Sequence, residues 1–245
     1  MAKKLLIFRG LTSHAPMLVA AALIVGLAGC KSVQSPGSVV VSGNDAIEAP
    51  RANDWRLIAS SVDAARVGAI AADWSPALDD ARAHGGMKAV LEEGELLDPK
   101  AALPRPAPPP GIYHCRVVRL GLTNENRKKA LVAFKPFFCF VAVEGPLLTF
   151  TKGTGTHRPG GRLWEDNDKQ MVFLGSISEN PDGPLPAYGD NPMSNQVGIV
   201  ERIGEFRWRM VLPGSTPEAK LDVIELVPDT PVLTTKQGGG QGASR

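Results

Sequence analysis

From residue 111 onward the chain repeats one device: a short run alternating apolar and polar residues, then Gly, Pro, Asn or Asp, then another run. Alternation fits a strand with one buried face, because successive side chains of a strand point to opposite sides. The runs are 113–120, 137–144, 147–152, 161–164, 170–177, 196–203, 206–212 and 221–227. Glu144-Gly145-Pro146 and Asn180-Pro181-Asp182-Gly183 supply turn residues, and Gly204-Glu205 suits a two-residue hairpin loop. No helix-length segment interrupts the series, and parallel neighbours need a long crossover, so antiparallel pairing is predicted. About eight such strands in succession predict an up-and-down β-barrel or a strongly curled sheet, with a two-sheet β-sandwich as the alternative.

Residues 53–110 follow a different period. Ala64, Val67, Ile70, Ala71, Trp74 and Leu78 recur at spacings of three and four, which places them on one helical face. Asp63 suits the positive end of that helix. Gly85-Gly86 is expected to stop it, a shorter helix to follow over 87–93, and Gly94 to end the second one. Asp54 and Trp55 should begin an earlier turn that packs back on the pair. Five prolines within 104–110 make an extended stretch poor in backbone donors, read as a stiff linker, with recruitment of a proline-reading partner as the alternative. The class is therefore α+β: a short N-terminal helical pair, then an antiparallel β domain over 111–228.

Upstream lie three cations (Lys3, Lys4, Arg9), an apolar core over 17–27 and the small residues Ala28 and Gly29. That core is shorter than the ~20 residues a permanent membrane-spanning helix needs. Leu27-Ala28-Gly29-Cys30 resembles the lipobox of bacterial lipoproteins. The resemblance implies removal of a signal peptide over 1–29, acylation of Cys30 and a membrane held through that lipid. An ordinary signal peptide or an uncut anchor are the alternatives. Lys31, where many inner-membrane lipoproteins carry Asp, implies the outer membrane, facing the periplasm. Residues 30–52 read as a flexible tether and 229–245 as a disordered tail.

Removal of 1–29 changes the electrostatics. The chain carries 27 basic and 25 acidic residues, and taking away three cations leaves 24 against 25, a net charge of −1. A near-neutral body without a long basic run offers nucleic acid no footprint.

With Cys30 acylated, Cys115 and Cys139 remain, in an oxidising compartment. Tyr113, Cys115 and Val117 share one strand face, and Phe137, Cys139, Val141 and Val143 another. If the two strands form a hairpin, both sulfurs point to one side, and a disulfide is expected; two buried free thiols are the alternative.

The segment 152–162 gathers glycines, hydroxyls, an imidazole and cations between two strands. Lys152, Thr154, Thr156, His157, Arg158 and Arg162 are candidates for holding a carboxylate or phosphate. The spacing is not that of a P-loop, and a long hairpin loop is the plainer reading. Glu201 falls on an otherwise apolar face with Val197, Ile199 and Ile203, where an unpaired charge is costly. It is expected to pair with Arg209 or Arg116, either as a polar anchor in a ligand cavity near Trp208 or as a structural ion pair at a barrel end.

Catalytic and metal motifs are sparse. The sequence has no HExxH, no GxSxG and no His pair at metal-ligand spacing, and Glu165-Asp166-Asn167-Asp168 lacks the glycine and distal glutamate of a calcium loop. No cofactor, metal or catalytic residue is assigned.

The runs YHCRVVRLG, KGTGTHRPGGRLW and VGIVERIGEFRWRMVLP, followed by LDVIELVP, resemble uncharacterised Gram-negative lipoproteins that carry one shared domain of unknown function. The resemblance spans about Trp55 to Pro228 and implies a common fold, with no activity attached. Three readings follow: a non-enzymatic periplasmic lipoprotein binding a small ligand or an envelope protein, a hydrolase built around His157, and a structural envelope component.

Overall fold

A computed structural model describes residues 54–121, 130–214 and 219–229. The signal segment, Cys30, the tether and the tail beyond Asp229 lie outside the described residues. The described residues form nine strands: β1 Gly111–Leu120, β2 Leu131–Ala133, β3 Phe137–Glu144, β4 Leu147–Lys152, β5 Arg158–Glu165, β6 Gln170–Ser178, β7 Asn195–Gly204, β8 Arg207–Pro213 and β9 Leu221–Pro228. Each of β3 to β9 pairs antiparallel with its neighbour in the chain, and β9 returns to pair with β1 from Tyr113↔Pro228 to Leu120↔Leu221. The sheet is thus a closed eight-stranded barrel, not a sandwich. β2 is the additional strand. It takes the far half of the β1 edge whose near half pairs with β3, and Phe134-Lys135-Pro136 separates the two segments. Pro136 has no amide to give to the ladder.

The barrel has two apolar layers. Its interior holds Tyr113, Cys115, Cys139, Phe150, Phe173 and Met210 among others. Outside, Val118, Val197, Ile199, Val211, Leu221 and Val223 form a second layer beneath the helices. Strands β7, β8 and β9 are therefore buried on both faces and read as near-continuous apolar runs, whereas β3 alternates because its outer face meets solvent.

Helix α1 spans Ser61–Ala81. Ser60 caps it, accepting from the Asp63 amide at 3.1 Å while its hydroxyl donates to Asp63 Oδ2 at 2.9 Å. Val67, Ile70, Trp74, Ala77, Leu78 and Ala81 form its buried stripe, and Ala71 lies on the exposed side. Gly85-Gly86 does not stop the helix. A widened π-helical turn, Arg82–Gly86, carries it into α2, Met87–Glu93, and requires glycine at 86, where a Cβ would lie 2.4 Å from the Ala81 carbonyl oxygen. Gly94, at φ 55°, then ends α2 as expected.

The turn between β7 and β8 is one residue later than the sequence suggests. Glu205 and Phe206 form it, so Phe206 is exposed and only Trp208, Met210 and Leu212 share the inward face. The proline-rich stretch runs across this same barrel end: the Leu103 amide donates to Arg202 O, the Arg105 amide to Asp168 O, and the Tyr113 hydroxyl to Pro109 O. One end is thereby covered. At the other end β1 and β4 finish and β5 and β9 begin.

Candidate functional site

Alternation dictates what lines the second end. Val117 and Arg119 continue the inward face of β1, Phe137 opens that of β3, and Lys152 closes that of β4 after Phe150. These side chains, with Leu212 of β8 and Asp222 and Ile224 of β9, surround a cavity of about 600 Å³. The β4–β5 loop, through Thr154, Gly155, Thr156 and His157, forms one lip, and Phe134 with Lys135 forms part of the other. The volume is in the range of small-molecule sites, and the apolar floor with a few polar groups at the rim matches their usual composition.

Gly198 contributes to this shape. A Cβ there would lie 2.6 Å from Leu212 Cδ2, so its absence lets Leu212 settle against the wall instead of across the cavity.

The rim is electrostatically uneven. Arg119 is bidentate on Asp222, with Nε to Oδ1 and Nη2 to Oδ2 both at 2.7 Å, and its guanidinium lies 5.1 Å from the Phe134 ring centre. His157, held at φ 53°, shares a 2.7 Å hydrogen bond between Nδ1 and Glu179. Lys152 differs from both. Its Nζ donates to Thr156 O at 3.0 Å and His157 O at 3.3 Å and sits 4.9 Å from the Phe137 ring centre. Burial pushes its ammonium below the ordinary lysine range, with Asp222 opposing the shift.

Of the candidate residues, Lys152, Thr154, Thr156 and His157 come together at the cavity. The other four are placed elsewhere. Arg158 donates to the carbonyl oxygens of Asn180, Pro181 and Gly183 and so pins the β6–β7 connection. Arg162 faces outward and is bidentate on Glu144, at 3.0 and 2.6 Å. Glu201 accepts from Arg209 Nε at 2.7 Å beneath the helices, and Arg209 Nη1 reaches the carbonyl oxygens of Glu95, Leu96 and Asp98. Arg116 binds Glu93 and Glu225 instead. Trp208 is interior but stands beside Tyr113, toward the covered end.

Cys115 and Cys139 are joined by a disulfide, with Cα atoms 6.0 Å apart, inside the barrel. Cys139 is the cross-strand neighbour of Lys152, so the bridge ties together the wall from which Lys152 projects. Sequence reasoning missed Arg119, Asp222, Leu212, Ile224 and Phe137 as cavity residues. Extending the face Tyr113, Cys115, Val117 by one more step would have pointed to Arg119. The acidic turn after β5 serves structure: Asp166 accepts from Trp55 Nε1 at 2.8 Å and Arg56 Nη2 at 2.7 Å. Among the described residues, no cluster of three or more His, Cys, Asp or Glu side chains could hold a metal ion.

No curated protein and no solved structure matches the chain. One family model, described as a domain of unknown function (DUF4893), matches residues 55–226, which take in the capped helix, the barrel but for the last two residues of β9, and every cavity side chain named above. The chain belongs to the DUF4893 family.

Proposed function

We propose that this protein is a lipid-anchored lipoprotein of the Gram-negative envelope whose barrel is a binding module, taking a small ligand into its open end, and not an enzyme. The observation that carries the binding reading is the cavity of about 600 Å³, walled by inward-facing side chains of β1, β3, β4, β8 and β9. A barrel built only as a scaffold would fill that end, since a dry, packed interior is the more stable arrangement. The anchor reading rests on the Leu27-Ala28-Gly29-Cys30 run and the segment before it. A hydrolase centred on His157 is favoured by the His157–Glu179 hydrogen bond at the rim. Against it, Ser176 and Ser178 flank the cavity residue Ile177 and so face the opposite side of the sheet, where their hydroxyls donate to Pro186 O and Asn180 O.

Native mass spectrometry of the protein released from membranes tests the binding reading. A co-purifying small molecule, displaced in a Leu212→Trp variant that fills the cavity, is the expected result. An empty protein whose behaviour Leu212→Trp leaves unchanged would overturn it. For the anchor, metabolic labelling with a tagged palmitate should mark the wild type and not Cys30→Ser, and label in both would sink that half of the proposal.

A further inference from the structure

We infer that the cavity takes a single-chain amphiphile with one negative charge, its head on Lys152 and its chain running past Phe137, Leu212 and Ile224 into the barrel. The inference rests on the binding reading above and adds the ligand's chemical class.

Three observations carry it. The first is polarity by depth: along β1 and β9 the charged Arg119 and Asp222 lie one inward-facing step nearer the open end than Val117 and Ile224. An occupant must be apolar at one end and polar at the other to satisfy both. The second is the state of the rim cations. Arg119 already spends two donors on the Asp222 carboxylate, and that pair is close to neutral. Lys152 has no carboxylate within ion-pair distance among the described residues; its partners are two backbone carbonyls and the Phe137 ring. A half-buried ammonium with no carboxylate in contact is held at a cost that an anionic head would offset. The third observation limits the charge. Because Arg119 answers Asp222, the Lys152 ammonium adds one positive charge beyond that pair, which one anionic group matches. One compact ammonium suits a monoanion such as a fatty carboxylate.

The burial that lowers the Lys152 ammonium below the ordinary lysine range fits the same account.

The test uses the full chain in its own membranes and two photoreactive probes with the same twelve-carbon, diazirine-bearing chain, one ending in a carboxylate and one in an alcohol. Labelled residues are located by peptide mass spectrometry. The expected result is labelling by the carboxylate probe at cavity residues such as Val117, Phe137, Leu212 or Ile224, competed by dodecanoate and not by dodecanol. Lys152→Met should reduce that labelling by roughly tenfold or more, the loss of one charge-assisted contact, while Lys152→Arg keeps most of it. Circular dichroism of both variants confirms that the barrel is folded. Equal labelling by both probes, unchanged in Lys152→Met, would overturn the charge assignment and leave the binding reading standing. Absence of cavity labelling by either probe, with Leu212→Trp indistinguishable from wild type, would overturn both.

Discussion

Arg209 is the side chain whose loss should tell most about how this fold is held together. It is fully buried on the outer layer of β8, against Glu201 of β7, which is 7 % exposed. Its Nε donates to Glu201, its Nη1 to the carbonyl oxygens of Glu95, Leu96 and Asp98, and its guanidinium lies 4.9 Å from the Trp74 ring centre. One residue thus joins two strands, α1 and the turn after α2. Arg209→Met keeps much of the volume but strands the Glu201 charge in an apolar layer and takes the donor from three carbonyls. Breaking a buried pair in this way costs about 3–5 kcal/mol, or roughly 10 °C in Tm for a domain of this size. Glu201→Gln should cost less, about 1–2 kcal/mol, because the amide still accepts from Arg209 and the three carbonyl contacts survive. Arg209→Met with Glu201→Leu removes the stranded charge and should recover about 2 kcal/mol relative to Arg209→Met alone. Urea unfolding at pH 7, followed by the fluorescence of the buried tryptophans, measures all four proteins. A cost below about 1 kcal/mol for Arg209→Met, or a double variant no more stable than that single one, would refute the view that this ion pair fixes the helices to the barrel.

Three further outcomes are expected. Replacing Cys115 and Cys139 together by Ala removes a bridge between residues 24 apart in sequence, worth about 3.5 kcal/mol in the chain-entropy account, and equal stability of the variant and the oxidised wild type would contradict it. Burial pushes the Tyr113 phenol from 10.0 up to about 12, so between those values only the unfolded chain ionises and stability falls as pH rises; Tyr113→Phe should flatten that part of the pH profile, and an unchanged slope would count against the burial. Burial would raise the Asp63 carboxyl, but hydrogen bonds from Tyr188, Ser60, Asn195 and Arg66 outweigh it and hold the group below its ordinary 3.8. Its contribution is present above that value and is lost as pH falls below about 4, so Asp63→Asn should lower stability at neutral pH and weaken the acid dependence. A variant whose acid limb runs parallel to wild type would argue against Asp63 as the joint between α1, Tyr188 and β7.

Local chemistry was readable where one neighbour decides the outcome. The bounds of β3, β4 and α2 coincide with the pattern, since alternation, a Glu-Gly-Pro turn and the Gly94 stop act within a few residues. β2 escaped notice because three residues, Leu131–Ala133, carry too little period to register. Phe206 was misplaced by one position because an aromatic residue extends an apolar pattern equally well from the turn or from the strand. The cavity was half legible. The lip at 152–157 stood out by composition, while Arg158 and Arg162 looked alike and went to a loop and to an outer-face ion pair.

By itself, then, the sequence determined the class of elements, their antiparallel succession and the common side of the two cysteines, because a period of two and local turn residues settle these within one hairpin. Tertiary structure alone decided that the sheet closes, that helices cover β7, β8 and β9, and that Arg119, Lys152 and Asp222 share one rim. The closing ladder joins Gly111–Leu120 to Leu221–Pro228 across the whole β region, and the covered faces depend on where a helix docks. Such choices are set by burial summed over the molecule, which no short window of residues contains.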